Sequence, residues 1–172
     1  MIQASKTTPF AVVAIVALAS TAATGRVNAD SRCRPVRAHI ETTITTQGCT
    51  SPVGICTVGH VEGGPFDGAT TFLTAGAAQS AGMPNVEPAA NLSYSGTFTM
   101  TSPHGTFVTS DLGVLDASHA AFVEMMRSVS GTGRFTNPTG TLFLSGALVN
   151  EGTGFDGTIT GELCTDRPDG DD

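Results

Sequence analysis

Four polar side chains of this sequence are candidates for a catalytic role: Tyr94, Asp111, Glu124 and Arg127. Glu124 stands among the apolar residues of segment 121–130, where burial would raise its pKa and suit it to proton transfer. The simpler alternative is a partly solvated glutamate at a strand edge. Tyr94 is the only tyrosine and could place its hydroxyl inside a cavity, although buried phenols more often find a backbone partner near a rim.

The spacing of the charged residues limits how they can combine. Glu124 and Arg127 are three residues apart, so on one strand they point to opposite faces unless a bulge intervenes. They therefore do not form an acid–base pair by themselves. Asp111 lies on the preceding predicted strand, and a structural ion pair between Asp111 and Arg127 is the first expectation.

Other classes of chemistry lack the residues that they need. There is no Gly-x-Ser-x-Gly elbow of the α/β-hydrolase type. The only lysine, Lys6, lies in the N-terminal leader described below, which excludes Schiff-base chemistry in the rest of the chain. No Cys-x-x-Cys pair occurs and the histidines are scattered, so we predict no metal site and no cofactor. The histidines are His39, His60, His104 and His119.

The first 29 residues have the pattern of a secretory signal peptide. Lys6 supplies the positive charge, residues 10–18 are apolar, and residues 27–29 fit a cleavage site before Asp30. The apolar segment is shorter than the roughly 20 residues that span a bilayer, and an uncleaved anchor is the alternative. We expect a secreted or periplasmic protein with no membrane span after cleavage. Its single domain would cover residues 30–165, followed by a disordered acidic tail at 166–172.

The charge of the chain argues against nucleic acid as a partner. The leader contains Lys6 and Arg26 but no acidic residue. The rest of the chain therefore has 6 basic and 15 acidic residues, a formal charge of −9. Phosphate backbones need clustered Lys and Arg. The remaining 143 residues are enough for one domain with a full core.

Alternation of apolar and polar residues predicts β-strands almost throughout. One face is apolar and includes glycines that suit close backbone approach, whereas the other is rich in Thr and Ser. Eight evenly spaced strands are typical of a sandwich or a barrel. They are predicted at residues 36–46, 53–63, 66–75, 92–101, 106–115, 121–130, 140–149 and 154–164, with an extended loop at 76–90.

The four cysteines become informative if the strands close into a barrel, because the first strand then pairs with the last. Cys33 before the first strand would lie beside Cys164 at the end of the eighth. Cys49 and Cys56 flank the turn between the first two strands. An even cysteine count in an exported chain favours disulfides. We therefore predict Cys33–Cys164 and Cys49–Cys56.

Segment 130–140 has the most distinctive residues of the chain. It contains a glycine-flanked turn, an Arg-Phe pair and a later glycine, namely Gly131, Gly133, Arg134, Phe135 and Gly140. Glycines allow positive φ angles, so the Arg-Phe pair can turn back over the end of a sheet. This corner resembles the Gly-Gly-Thr-Gly-Lys/Arg-Phe…Gly segment of dirigent proteins and allene oxide cyclase-like barrels. Ser130 stands where those proteins usually have the first glycine.

The resemblance covers residues 36–164 and includes uncharacterised exported bacterial relatives of that superfamily. It implies an all-β fold, an eight-stranded antiparallel up-and-down barrel with an apolar cavity, often in a dimer or trimer. Members of the superfamily steer or cyclise reactive hydrophobic intermediates. The pocket residues of those proteins do not map onto matching motifs here, so the resemblance assigns no catalytic residue.

We therefore expect an exported, disulfide-stapled barrel that either binds a small hydrophobic molecule non-covalently or is a non-catalytic module of unknown role. A cofactor-free isomerase or cyclase acting on a hydrophobic substrate is the alternative. A binder would have an apolar cavity of roughly a few hundred Å³. A cyclase would add inward titratable groups with shifted pKa values. A structural module would show a filled barrel and an apolar outer patch. Candidate ligand contacts, which could equally be ordinary core, are Tyr94, Phe98, Met100, Leu142, Leu144, Phe155 and Ile159.

Overall fold

The chain forms a closed barrel of eight antiparallel strands in a computed structural model that describes residues 31–79 and 91–166. Each strand pairs with its neighbours in sequence, and the first pairs with the last, as in an up-and-down barrel rather than a sandwich. The strands are β1 (Ser31–Thr45), β2 (Cys56–Gly63), β3 (Phe66–Gln79), β4 (Asn91–Ser102), β5 (Gly105–Asp116), β6 (Ala121–Gly131), β7 (Thr139–Val149) and β8 (Gly154–Asp166).

The eight strands lie in the predicted regions, but several begin or end at other residues than predicted. β1 begins five residues earlier than predicted because closure of the barrel pairs Ser31 with Asp166. The tail predicted from residue 166 therefore begins one residue too early, since Asp166 belongs to β8. β2 begins only at Cys56, because Ser51 Oγ bonds to backbone atoms around the preceding turn. β3 continues to Gln79, into the predicted loop.

Three predictions fall on residues that the structure does not describe. The signal peptide at 1–29, most of the 76–90 loop and the acidic tail beyond Asp166 lie outside the described residues. Within residues 31–79 and 91–166, no helix is long and apolar enough to cross a membrane.

Both predicted disulfides are present. Cys33 and Cys164 face each other across the β1–β8 pairing that closes the barrel, 131 residues apart in sequence. Cys49 and Cys56 are joined around the turn that connects β1 to β2. The first disulfide therefore lies where the barrel closes and the second at the opposite end of the barrel.

Aromatic side chains fill the barrel at the end where β2 turns into β3 and β4 into β5. Phe66 and Phe107 stack with their ring centroids 5.2 Å apart, and Phe135 packs at 6.0 and 5.9 Å from them. All three are almost completely buried. Large apolar side chains of this kind contribute most to core stability. Because the three rings pack against one another inside the barrel, they fill this end of it.

The corner after β6 places Phe135 in that cluster. A single 3₁₀ turn, Gly133–Phe135, folds the chain over the barrel end as the sequence predicts. Gly133 has the expected positive φ of 59°, but Gly131 does not take a positive φ. Gly131 is instead required by close approach, since a Cβ there would collide with the carbonyl oxygen of Phe135. Arg134 stays near the surface, with its guanidinium carbon 5.6 Å from the Phe135 ring centroid.

Candidate functional site

The end of the barrel opposite the phenylalanine cluster holds a cavity of about 110 Å³. It lies at the end that carries the Cys49–Cys56 disulfide and where β3 ends and β4 begins. Most of its lining is apolar or aromatic, and the polar exceptions are three threonines, Tyr94 and Glu124. The lining residues are Ile40, Thr42, Ile55, Thr57, Phe72, Thr74, Ala77, Leu92, Tyr94, Phe98, Leu115, Phe122, Glu124, Leu144 and Phe155.

The cavity is smaller than the few hundred Å³ expected for a ligand pocket. An apolar cavity of about 150 Å³ holds a benzene molecule. The volume therefore corrects the expectation, because the cavity suits a molecule no larger than about one ring, with any substituent extending toward its open end.

A β-bulge shapes one wall of the cavity. The pairing of β3 with β4 shifts between Thr74 and Gly76, so one extra residue is inserted in β3. The insertion restores the inward direction at position 77, and both Thr74 and Ala77 line the cavity. Without the bulge, strict alternation from Thr74 would turn Ala77 outward.

The polar part of the cavity is a hydrogen bond between strands that are not neighbours. The Tyr94 hydroxyl on β4 donates to Oε2 of Glu124 on β6 at 2.8 Å. Gly113 on β5 lies between them, paired with Tyr94 on one side and with Glu124 on the other. A Cβ at position 113 would be 2.5 Å from the Tyr94 hydroxyl oxygen. The glycine thus leaves the space through which the tyrosine crosses β5.

A second carboxyl group lies beside Glu124. Asp111 on β5 pairs with Met126 on β6, so its side chain points into the barrel one step further from the cavity mouth. Asp111 is 3 % exposed and Glu124 is 7 % exposed. Among the described residues, only Glu124 and the Thr109 hydroxyl are placed to hydrogen-bond the Asp111 carboxyl. A bond between the two acids needs a proton on one of them, because an ionised carboxylate can only accept.

Burial and mutual repulsion keep this pair protonated. Burial and then the neighbouring Glu124 raise the pKa of Asp111 to about 9. Burial also raises the pKa of Glu124, against the opposing effect of hydrogen bonds from Asp111 and Tyr94. Burial and the negative charge of Glu124 raise the pKa of Tyr94. The pair therefore retains at least one proton at neutral pH, as two acids sharing a site do.

The expected ion pair between Asp111 and Arg127 is wrong. Arg127 is exposed on the outer face of β6, whereas Asp111 points inward. The bulge between β5 and β6 begins only beyond Ser128, so alternation from Glu124 to Arg127 is unbroken and keeps them on opposite faces. Arg127 consequently has no place in the cavity, and Glu124 is buried rather than solvated at an edge.

Four of the seven candidate ligand residues line the cavity: Tyr94, Phe98, Leu144 and Phe155. Met100, Leu142 and Ile159 share their inward direction but are fully buried in the core below the cavity. Sequence analysis missed several lining residues that alternate inward in the same way, namely Ile40, Phe72, Leu92, Leu115 and Phe122. Alternation could have found the inward direction, but not the height along the barrel.

An exposed apolar patch crosses the outer face of the barrel. Leu112 on β5, Met125 on β6 and Phe143 on β7 form one row, since each is paired with the next. Leu112 is 55 % exposed and Phe143 54 %. Val114 and Val123 form a second exposed row beside it. We call these five residues the outer apolar patch, a feature expected of a module that makes contacts through its outer surface.

The strand pairing also gathers a group of possible metal ligands that the sequence did not reveal. Ligand atoms of His39, Glu41 and Asp156 lie within 4.8 Å of one another on the outer face of β1 and β8. His39 Nε2 is 3.2 Å from Asp156 Oδ2. Because these groups are partly or fully exposed, the contact acts as a surface interaction between the strands that close the barrel.

Comparison of the chain with protein-family models and with curated proteins gives no match.

Proposed function

We propose that this barrel binds a small, mainly apolar molecule of about one ring in the cavity next to Tyr94 and Glu124. The observation that carries the proposal is the contrast between the two barrel ends. Phe66, Phe107 and Phe135 fill one end. The other end keeps a mainly apolar cavity whose polar lining is three threonines and the Tyr94–Glu124 pair. Apolar lining with few polar groups is the usual character of ligand sites.

Blocking the mouth of the cavity tests this proposal. Ala77 lines the cavity, whereas the adjacent Ala78 does not. Binding of 2-phenylethanol, followed by NMR shifts of cavity side chains, should be lost in Ala77→Trp and kept in Ala78→Trp. Native mass spectrometry of protein from its own host should also show a retained small molecule. Equal binding by both variants would count against the cavity as the site.

A cofactor-free isomerase or cyclase is a second candidate, which the Asp111–Glu124 pair favours. Glu124 lines the cavity and burial raises its pKa, so its carboxyl group can donate a proton to an oxygen atom of a bound molecule. Isomerisation of styrene oxide to phenylacetaldehyde is a suitable probe reaction, because it needs acid and no second reactant. Catalysis by the protein that disappears in Glu124→Gln would support this function. A rate equal to that in buffer would argue for binding alone.

We also propose that the protein is exported to the periplasm or outside the cell and is related to the allene oxide cyclase-like and dirigent barrels. The two disulfides support an oxidising compartment. The up-and-down topology and the corner at Phe135 support the relationship. N-terminal sequencing of protein from the host should give Asp30 as the first residue.

We propose that the outer apolar patch joins copies of the protein in a dimer or trimer. Apolar side chains dominate the patch, while the outer faces of β1 and β2 carry charged groups such as Arg37, Glu41 and Glu62. Copies of an acidic chain would approach with least repulsion through an uncharged surface. Phe143→Lys should shift sedimentation toward the monomer, and Val58→Lys, on the outer face of β2, should not. Sedimentation of the unchanged protein as a monomer would overturn this.

A further inference from the structure

We propose that the ligand of the cavity is an apolar amine whose ammonium group lies at Glu124. Its hydrocarbon part lies among the phenylalanine rings that line the cavity, such as Phe72, Phe122 and Phe155. This inference rests on the proposed binding function and specifies the chemical class of the ligand. It is carried by three features of the cavity: the sign of its ionisable groups, its aromatic walls and the second buried acid behind it.

The ionisable groups of the cavity are all acidic. Glu124 lines it, Tyr94 bonds to Glu124, and Asp111 lies directly behind. The residues that β1, β2, β3, β7 and β8 contribute to the lining contain no ionisable side chain in the part of the chain described. None of the described arginines lines the cavity. A ligand carboxylate would thus meet a buried acid with no positive partner, which is strongly unfavourable.

The walls suit a cation with an apolar body. Phe72 meets Tyr94 edge to face at 6.0 Å, and Phe122 meets Phe155 in the same way at 5.3 Å. All four rings line the cavity. Aromatic faces attract ammonium groups as well as hydrocarbon, and the attraction strengthens where water is excluded. Neutral ligands would gain only the apolar part of this contact.

The buried acid behind the cavity gives a cation an additional advantage. Asp111 is only 3 % exposed and lies beside Glu124, with the Thr109 hydroxyl as its other hydrogen-bond partner. A bound ammonium at Glu124 would offset the negative charge that burial and repulsion make unfavourable there. The ammonium would donate to Glu124, and Asp111 would keep its proton and donate to the same carboxylate.

Three ligands that share one phenyl ring and differ in the head group test the inference. The probes are 2-phenylethylamine, 2-phenylethanol and 3-phenylpropanoate, titrated calorimetrically into the exported protein at pH 7. The amine should bind about tenfold or more tightly than the alcohol, and the carboxylate should bind most weakly. Alcohol binding equal to or tighter than amine binding would overturn the amine inference while leaving the binding function intact. Binding by none of the three would overturn both.

Substitution of the acid locates the head group. Glu124→Gln should weaken amine binding by about tenfold or more and change alcohol binding by less than about threefold. Glu162→Gln, on the exposed outer face of β8, is the matched control and should change neither. Unchanged amine affinity in Glu124→Gln would contradict the placement. Circular dichroism establishes that the variant is folded, and if it is not, the three-probe ranking on the unchanged protein decides.

Discussion

Tyr94 and Glu124 are hydrogen-bonded at 2.8 Å although one lies on β4 and the other on β6. The strand between them contributes only a glycine at the crossing point. A similar arrangement occurs at Gly96, where a Cβ would be 2.8 Å from Cε2 of the Phe72 ring. Inward glycines in this barrel therefore determine where large side chains can lie across a neighbouring strand.

Gly113→Ala should displace the Tyr94 ring and break its bond to Glu124. A methyl group at this position would overlap the ring, and overpacking of a core typically costs about 1–3 kcal/mol. Because Tyr94 is the only tyrosine and the chain has no tryptophan, the near-ultraviolet circular dichroism near 280 nm reports on this ring. Gly76→Ala, where a Cβ meets only Ser95 Oγ at 3.9 Å, is the control. An unchanged tyrosine signal in Gly113→Ala would refute the role given to this glycine.

The phenol of Tyr94 should stay protonated well above its ordinary pKa of about 10. Burial and the adjacent carboxylate both disfavour a phenolate. An alkaline titration of absorbance at 295 nm should show no ionisation until the barrel unfolds, and the two transitions should coincide. In Glu124→Gln the phenol should ionise at a lower pH than in the unchanged protein. Reversible ionisation near pH 10 in the folded protein would contradict the buried position of the hydroxyl.

The stability of the barrel should fall as pH rises between about 4 and 9. The folded protein holds the proton of Asp111 up to a pKa of about 9, whereas the unfolded chain loses it near its ordinary value of about 4. The folded state therefore binds more protons in this window, and the free energy of unfolding decreases by up to about 1.4 kcal/mol per pH unit. Asp111→Asn should make this dependence less steep, measured by urea unfolding at several pH values.

Glu124 contributes a slope of the same sign, so Asp111→Asn should reduce the pH dependence without removing it. Glu162→Gln, which changes an exposed acid, should leave the slope unchanged. A stability that rises with pH across this window in the unchanged protein would show that the pair is ionised in the folded state.

The two disulfides should contribute unequally to stability. Replacing Cys33 and Cys164 with alanine releases a loop closed over 131 residues and should cost about 5 kcal/mol in the chain-entropy model. Replacing Cys49 and Cys56 releases a loop of 7 and should cost about 2–3 kcal/mol. Denaturant unfolding of the two double variants measures both values. Equal losses would mean that loop length does not determine the effect here.

Much of the fold could be predicted because it depends on local alternation. Period-two patterning located all eight strands and the inward direction of Phe98 and Leu144. Closure then required the first and last strands to pair, and this placed Cys33 beside Cys164. The bulge at position 75 could not be predicted in the same way, since the small residues around it give no sequence signal for an inserted residue in β3.

The candidate site was only partly predictable, because alternation gives the face of a residue but not its height along the barrel. Met100 and Phe98 face inward on the same strand, yet only Phe98 reaches the cavity. The meeting of Tyr94 with Glu124 depends on Gly113 and on the curvature of three strands together. Asp111 and Arg127 lie on adjacent strands, but the sequence did not show that they point to opposite sides of the wall.

The phenylalanine cluster fills one end of the barrel, so the cavity is a pocket rather than a channel through the barrel. Among the described residues the cavity is open only at the opposite end, so a bound molecule would have to enter and leave through that end. A resident molecule would have to leave before another could take its place, and the rate of exchange would depend on the rim near Ala77 and Ile55.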